Sequence, residues 1–261
     1  MPQNNNRYNL MELMVTVAAR QLEDGKTAVI GTGMPLAAAM LAQKTKAPNL
    51  ITLFEAGSVA PQLVKLPLSV ADSFTQTGAL MHQSMNEIME ACQRGVVDYT
   101  FLGGAQIDGY GNLNSTFIGG TWRKPKVRLP GSGGANDLAS LCWRTLVIIP
   151  HDLKHFVSKV DFVTTPGYLT GPGAREAAGL PPGTGPYRVI STLALMGFDP
   201  ESKRMRVEAL HPGVTRENVI AQTGFEMVFA DPLPVSEEPA DEELAILRNE
   251  IDPQRLIVGR N

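Results

Sequence analysis

Residues 27–58 read TAVIGTGMPLAAAMLAQKTKAPNLITLFEAGS. TAVI is a short apolar run of strand character that ends in Gly31-Thr32-Gly33. MPLAAAMLAQKT is rich in good helix formers, and Pro35 falls in its first turn, where a missing N–H does no harm. PNLITLFEAG is a second apolar strand that runs straight into Glu55 and a small-residue turn. Strand, helix and strand in succession predict a β-α-β unit with parallel strands. The carboxylate at the end of the second strand is the anomaly. Desolvating it is costly unless it is paired, hydrated or used. An arginine partner and a catalytic role both remain open at this point.

The same alternation extends outward. Asn9 can cap a helix through about Leu22, and EDGK breaks it. Downstream come a short helix in NEIMEACQRG, a strand in VDYTFLGGAQID, a turn in DGYGN and a further strand in LNSTFIGG. GSGGANDLASLC is a glycine-rich loop entering a helix, and RTLVIIP is a buried strand. Residues 166–186 are dense in Gly and Pro and predict an ordered excursion over the surface. YRVISTLALMGF and RMRVEAL predict antiparallel strands joined by DPESK. A helix capped by Thr215 and an acidic C-terminal helix follow. No repeat or clear linker interrupts the chain. The expectation is one α/β domain over residues 1–261, an open, mainly parallel sheet with helices on both faces.

Composition narrows the function. The 261 residues are 43% hydrophobic and 19% charged, with a formal net charge of −3, as in a globular protein with a real core. No basic stripe suits a nucleic-acid partner, and no apolar run is long enough to span a membrane. The polar start MPQNNNRYNL lacks the pattern of a signal peptide, so a cytoplasmic location is expected. Cys92 and Cys142 match no metal or redox spacing and read as reduced, structural thiols. His151 and His155 lack a further ligand at metal spacing and read as part of a solvated face; His211, before a proline turn, reads as locally bonded. No metal site is expected.

Glycine clusters close several predicted strands: GTGMP (31–35), EAGS (55–58) and GGAQIDGYGNLN (103–114), with GSGGAN (131–136) before a helix. Ligands of parallel sheets bind at the carboxyl ends of strands, and glycine lets backbone N–H groups approach them. Each cluster alone reads more readily as a tight turn, and GTG lacks the third glycine of a dinucleotide fingerprint.

Taken in order, GTGMPLAAAMLA, FEAGS, FLGGAQIDGYGNLNST, KPKVRLPGSGGAND, PGYLTGPGAREAAGLP, LHPGVTRENVIAQTGF and the late IDP give a specific combination. The chain resembles the β subunit of family I CoA-transferases, of the glutaconate and 3-oxoadipate type, from about residue 8 to about residue 255. The resemblance implies a NagB/RpiA/CoA-transferase-like sheet, an α subunit as partner, and coenzyme A as substrate with no tightly bound cofactor. It implies that Glu55 is the catalytic nucleophile that comes to carry a glutamyl-CoA thioester. Here Ala56 stands where serine is commoner in the family. It further implies an oxyanion hole at Gly133, Gly134 and Ala135. Gly31, Gly33, Gly104, Gln106, Asn112, Asn114, Gly131 and Asn136 are candidates for contact with CoA or substrate, and Lys124 and Lys126, in RKPKVR, for its phosphates. The competing readings are an acyl-CoA hydrolase, decarboxylase or ring-opening enzyme on the same fold, and a non-catalytic ligand-binding module.

Overall fold

The structure, a computed structural model, describes residues 7–67, 69–70 and 72–259. The chain divides into two compact units. The first, here the split unit, takes residues up to Phe101 together with those from Glu237 onward; the second, the inserted unit, is Leu102–Ser236.

The split unit opens with α1 (Leu10–Ala19). Asn9 caps it: its side chain accepts the Glu12 N–H, and the Glu12 carboxylate accepts the Asn9 N–H in return. The helix ends earlier than its apolar pattern suggests, because Gln21 and Leu22 turn tightly onto the carbonyls of Ala18 and Ala19. β1 (Thr27–Val29), α2 (Met34–Lys44) and β2 (Ile51–Leu53) form the expected parallel unit, with Thr27 opposite Ile51 and Val29 opposite Leu53. β3 (Ser58–Val59) and β4 (Met81–His82) then add antiparallel strands, which the sequence pattern does not announce. Ser84 caps α3 (Met85–Gln93), and β5 (Tyr99–Leu102) returns parallel to β1 on its other side. The C-terminal helix Asp241–Ile246 continues as a π-helical turn over Leu247–Ile251. There Arg248 reaches Glu12, whose carboxylate is fully buried; Nε to Oε1 is 2.7 Å. Burial alone would raise the Glu12 pKa, but the bonds from Arg248 and Asn9 and the nearby Arg255 hold it below the usual carboxylate range.

The inserted unit begins with two hairpins: β6 (Gln106–Ile107) with β7 (Leu113–Asn114), and β8 (Phe117–Thr121) with β9 (Lys124–Arg128). α4 (Ala135–Leu141) and β10 (Arg144–Ile149) follow. The Gly/Pro-rich excursion contains the single turn α5 (Ala174–Ala177). β11 (Gly185–Ser191) lies parallel to β10, and β12 (Ala194–Phe198) and β13 (Met205–Leu210) add on antiparallel. α6 (Arg216–Ala221), capped by Thr215, leads to β14 (Val228–Phe229), parallel to β13. The run YRVISTLALMGF is therefore two strands. The Ser191 hydroxyl accepts the N–H groups of Leu193 and Ala194, which closes a turn in the middle of an otherwise strand-forming stretch. The class is mixed α/β, with parallel pairing around β1 and between β10 and β11.

The histidines correct the sequence reading. His151 does not lie on a solvated face: its ring is buried and stacks on Phe156 at 3.7 Å between centroids. His211 is fully buried, and its partners are distant in sequence, the Ser191 carbonyl and the Ser236 hydroxyl. Of these three, only His155 is partly exposed, bonded to Asp152. The Thr223 hydroxyl donates to the Val219 carbonyl, so it accepts from His151 Nε2, and Ser191 Oγ faces Nδ1. His151 and His211 thus each carry a proton on Nε2, donated to the Thr223 hydroxyl and to the Ser191 carbonyl.

Burial lowers the pKa of His151 to about 3 and that of His211 to about 4. Below the ordinary histidine pKa of about 6.5 the unfolded chain takes up protons that the folded chain refuses. Stability is therefore complete above that pH and falls as pH drops toward 4, by up to about 1.4 kcal/mol per pH unit for each ring. Urea unfolding midpoints should decline between pH 7 and pH 5, and His151→Gln should cost stability at pH 7 yet flatten that decline.

Candidate active site

Glu55 sits at a corner. The Phe54 carbonyl accepts the Gly57 N–H at 2.9 Å and the Phe54 N–H donates to Ser58, which folds Phe54–Ser58 into a tight hairpin turn between β2 and β3. Such a turn needs a left-handed residue, and Gly57 supplies it with φ of 116°. Glycine is also required by space. A Cβ on Gly57 would lie 1.8 Å from the Gln83 carbonyl oxygen, and the Gln83 N–H donates back to Gly57 O at 2.8 Å. The segment that follows β4 thus grips the turn from beneath.

The Glu55 side chain is half-buried and forms no hydrogen bond or ion pair among the described residues. The arginine partner that a buried carboxylate would call for is absent among those residues. Phe54 beneath it is fully buried. Because β1 and β2 are parallel and in register, and Ile30 N–H donates to Leu53 O, the Gly31–Gly33 loop leaves the same sheet edge as Glu55. Gly33 precedes α2 with φ of 83°, and no atom lies within 4 Å of where a side chain on Gly31 or Gly33 would begin. That edge of the split unit therefore offers an unpaired carboxylate beside backbone left bare of side chains.

In the inserted unit the Gly131–Ala135 loop is held from its ends. Gly131 N–H donates to the Ser115 carbonyl, and the Ser115 hydroxyl donates to the Gly131 carbonyl. Just beyond the loop, Asn136 Nδ2 donates to Thr164 O at 2.9 Å. Of the three expected oxyanion donors, Ala135 has its N–H taken up by the Ser132 carbonyl at 2.9 Å. The N–H groups of Gly133 and Gly134 have no partner among the described residues.

The other candidates divide by environment. Gln106, Asn112 and Asn114 are buried, and their amides are occupied inside the protein. Gln106 bonds Asp161 and Asn114. Asn112 donates to Asp108 and Leu169 O and accepts from Gly167 and Leu169. Asn114 also receives the N–H groups of Thr116 and Phe117. These three build the DGYGN hairpin, and a side chain at Gly104 would begin 3.4 Å from the carbonyls of Gln106 and Asn114 beside it. Lys124 and Lys126 lie exposed on β9, without an acidic partner among the described residues. Arg128 of the same strand lies over the Trp122 ring at 4.7 Å. Among the described residues no cluster of His, Cys, Asp or Glu could hold a metal ion, and no helix is long and apolar enough to cross a membrane.

One residue of consequence carries no sequence signal beyond its place in GPGAREAAGLP. Arg175 is 2% exposed and has no carboxylate partner among the described residues. Its fork donates to the carbonyls of Pro166, Gly167, Ala139 and Ser140 and to the Thr184 hydroxyl. Burial holds its pKa below the usual arginine value.

The motif order agrees with comparison to known proteins. The family model described as Coenzyme A transferase matches residues 12–222, and the chain belongs to that family, whose enzymes use coenzyme A as a substrate. It is 39% identical to the β subunit of 3-oxoadipate CoA-transferase of Pseudomonas knackmussii, over 92% of either chain. It is 34% identical to the β subunit of glutaconate CoA-transferase of Acidaminococcus fermentans, over 96% of this chain and 95% of the relative. The crystal structure of glutaconate coenzyme A-transferase from that organism matches the whole of both chains with a TM-score of 0.92 at 32% identity. The decarboxylase AibA/AibB matches 97% of this chain and 99% of its own with a TM-score of 0.82 at 26% identity. The family expected from the motifs is the family found.

Gly57→Ala tests the corner. A methyl group there meets a backbone carbonyl and a φ that L side chains avoid, so β3 must part from β4. The variant should lose several degrees of melting temperature and at least about 100-fold in transfer rate, because 1 Å of misplacement at a reacting group has that scale. Wild-type activity in Gly57→Ala would show that the turn geometry does not set the reaction.

Proposed function

We propose that this chain is the nucleophile-bearing member of a two-subunit CoA-transferase that moves CoA between an acyl-CoA and a free carboxylic acid. The observation that carries the reading is the Glu55 carboxylate. It is unpaired among the described residues, sits on a rigid glycine-backed corner, and belongs to a chain of the coenzyme A transferase family. The partner follows from the relatives, each of which is named as one subunit of its enzyme.

Exchange of CoA between two acids is nearly balanced in free energy, and the thioester must not be lost to water. Covalent catalysis by a protein carboxylate meets both demands. A Glu55 oxygen attacks the thioester carbonyl of the donor; the C–S bond breaks and CoA thiolate leaves, giving a mixed anhydride. The thiolate then attacks the Glu55 carbonyl carbon, the anhydride C–O bond breaks, and the donor leaves as its carboxylate. Glu55 now carries CoA as a thioester. The acceptor carboxylate runs the same steps in reverse. Half-burial strips part of the hydration that otherwise blunts a carboxylate nucleophile. The tetrahedral oxyanions need fixed donors. The N–H groups of Gly133 and Gly134 are assigned to them, at about 3 to 4 kcal/mol for such a donor. Lys124 and Lys126 are assigned to the CoA phosphates.

The acids that name the two relatives, 3-oxoadipate and glutaconate, are both dicarboxylic. A dicarboxylic acyl group, with or without a 3-oxo function, is therefore the proposed cargo. The likeness to AibA/AibB keeps a non-transfer reaction on this fold as the competitor.

The test is direct. The chain is produced with its partner subunit and incubated with dicarboxyl-CoA and 3-oxoacyl-CoA thioesters. Mass spectrometry should find CoA added at Glu55, and product formation should require an acceptor acid with ping-pong kinetics. Glu55→Ala should abolish transfer, and Glu55→Asp, which withdraws the nucleophile by one methylene, should lower kcat by at least about 100-fold. CoA release without an acceptor and without an adduct would replace this reading with a hydrolase.

A further inference from the structure

Arg175 is an unusual residue to bury. A guanidinium removed from water is normally matched by a carboxylate, and breaking such a match is strongly destabilising. Here the acceptors are all neutral: four carbonyl oxygens and one hydroxyl, at 2.8 to 3.4 Å. Its Nε finds no partner among the described residues. The cation has been placed for the geometry of its fork rather than for an ion pair.

The acceptors come from separate segments. Pro166 and Gly167 start the Gly/Pro-rich excursion, and Thr184 ends it. Ala139 and Ser140 belong to α4, the helix that follows the Gly131–Gly134 loop directly. Gly167 is itself wedged against the DGYGN turn. A Cβ there would lie 2.3 Å from the Gly111 carbonyl carbon, and its N–H donates to Asn112. The guanidinium thus joins α4 to a part of the unit that is locked in place by close backbone contact.

The loop needs such a tether. Around Gly131 and Gly133 nothing lies within 4 Å of a would-be side chain, so packing does not locate the loop. It is located from its ends. Ser115 holds the first end, and α4 holds the second. The position of α4 depends on Asn136 at its start and on Arg175 at its finish.

We propose that Arg175 is a positioning residue for the transfer reaction, fixing α4 against the Pro166–Thr184 excursion and thereby fixing the Gly133 and Gly134 N–H groups in the loop that precedes it. This rests on the reading of that loop as the oxyanion donor. Arg175 touches no reacting atom; it acts through α4. Lysine keeps the charge but has a single nitrogen and cannot bridge Pro166 and Gly167 to Ala139, Ser140 and Thr184 at once.

The experiment compares Arg175→Lys with His151→Gln, a buried change in the same unit away from the loop, in the complex with the partner subunit. Three quantities are measured: the melting temperature, acyl-CoA affinity, and the quench-flow rate of CoA attachment to Glu55. Arg175→Lys should slow the attachment about 10- to 100-fold, the range that sub-ångström to 1 Å displacement produces, with acyl-CoA affinity changed less than about threefold. His151→Gln should lose stability with attachment near the wild-type rate. If Arg175→Lys does not fold, Thr184→Val removes one of the five bonds and should show the same rate-selective loss, smaller in size. An attachment rate in the folded Arg175 or Thr184 variant no lower than that of His151→Gln overturns the proposal while leaving Glu55 in place. A wild-type complex that forms no adduct overturns the Glu55 reading, and this proposal with it.

Discussion

The Gln83 carbonyl oxygen occupies the position that a side chain at residue 57 would need. That contact sets three things together. It admits only glycine, it brings the backbone after β4 against the turn, and it leaves Phe54–Ser58 one way to fold. Glu55 is the outward corner of that turn, so its direction follows from backbone packing and not from any bond to its carboxylate. The parallel register of β1 and β2 then brings the Gly31–Gly33 loop to the same edge. A carboxylate fixed by its backbone keeps both oxygens free, which is what the proposed nucleophilic role requires, whereas one fixed by an arginine would have to break that pair first.

The inserted unit follows the opposite rule for its polar groups. Gln106, Asn112, Asn114, His151 and His211 are buried and bonded, to one another, to hydroxyls and carbonyls, and to the carboxylates of Asp108 and Asp161. Such a network, fully satisfied, specifies one arrangement of the loops it joins. The loop at residues 131–134 stands apart from it, with two N–H groups left without partners among the described residues. Rigid surroundings and free donors are the combination that electrostatic preorganisation requires.

The features legible in the sequence are those whose cause is local. Asn9 with Glu12, and Thr215 with Asn218, are caps whose partners lie three residues away. The β-α-β unit is set by periodicity, the small residues after Glu55 announce a turn, and the motif order carries the family. What the pattern does not show depends on partners far along the chain. His211 reads as a turn residue, yet its ring bonds Ser191 and Ser236. The asparagines of GGAQIDGYGNLN read as ligand contacts, and in the structure their side chains bond Thr164, Gly167 and Leu169, some fifty positions later. A single hydroxyl, that of Ser191, divides one apparent strand into two. Arg175 is hidden for the same reason, since nothing near it in sequence hints that Ala139 and Ser140 await it.

Glu12 lies in the first turns of α1, and the guanidinium that neutralises it stands 236 positions later. The pair is a clasp between the two sequence segments of the split unit, which are separated along the chain by Leu102–Ser236. A change at residue 248 is therefore felt in the first helix: Arg248→Met would leave the buried Glu12 carboxylate without its main counter-charge, a loss of several kcal/mol.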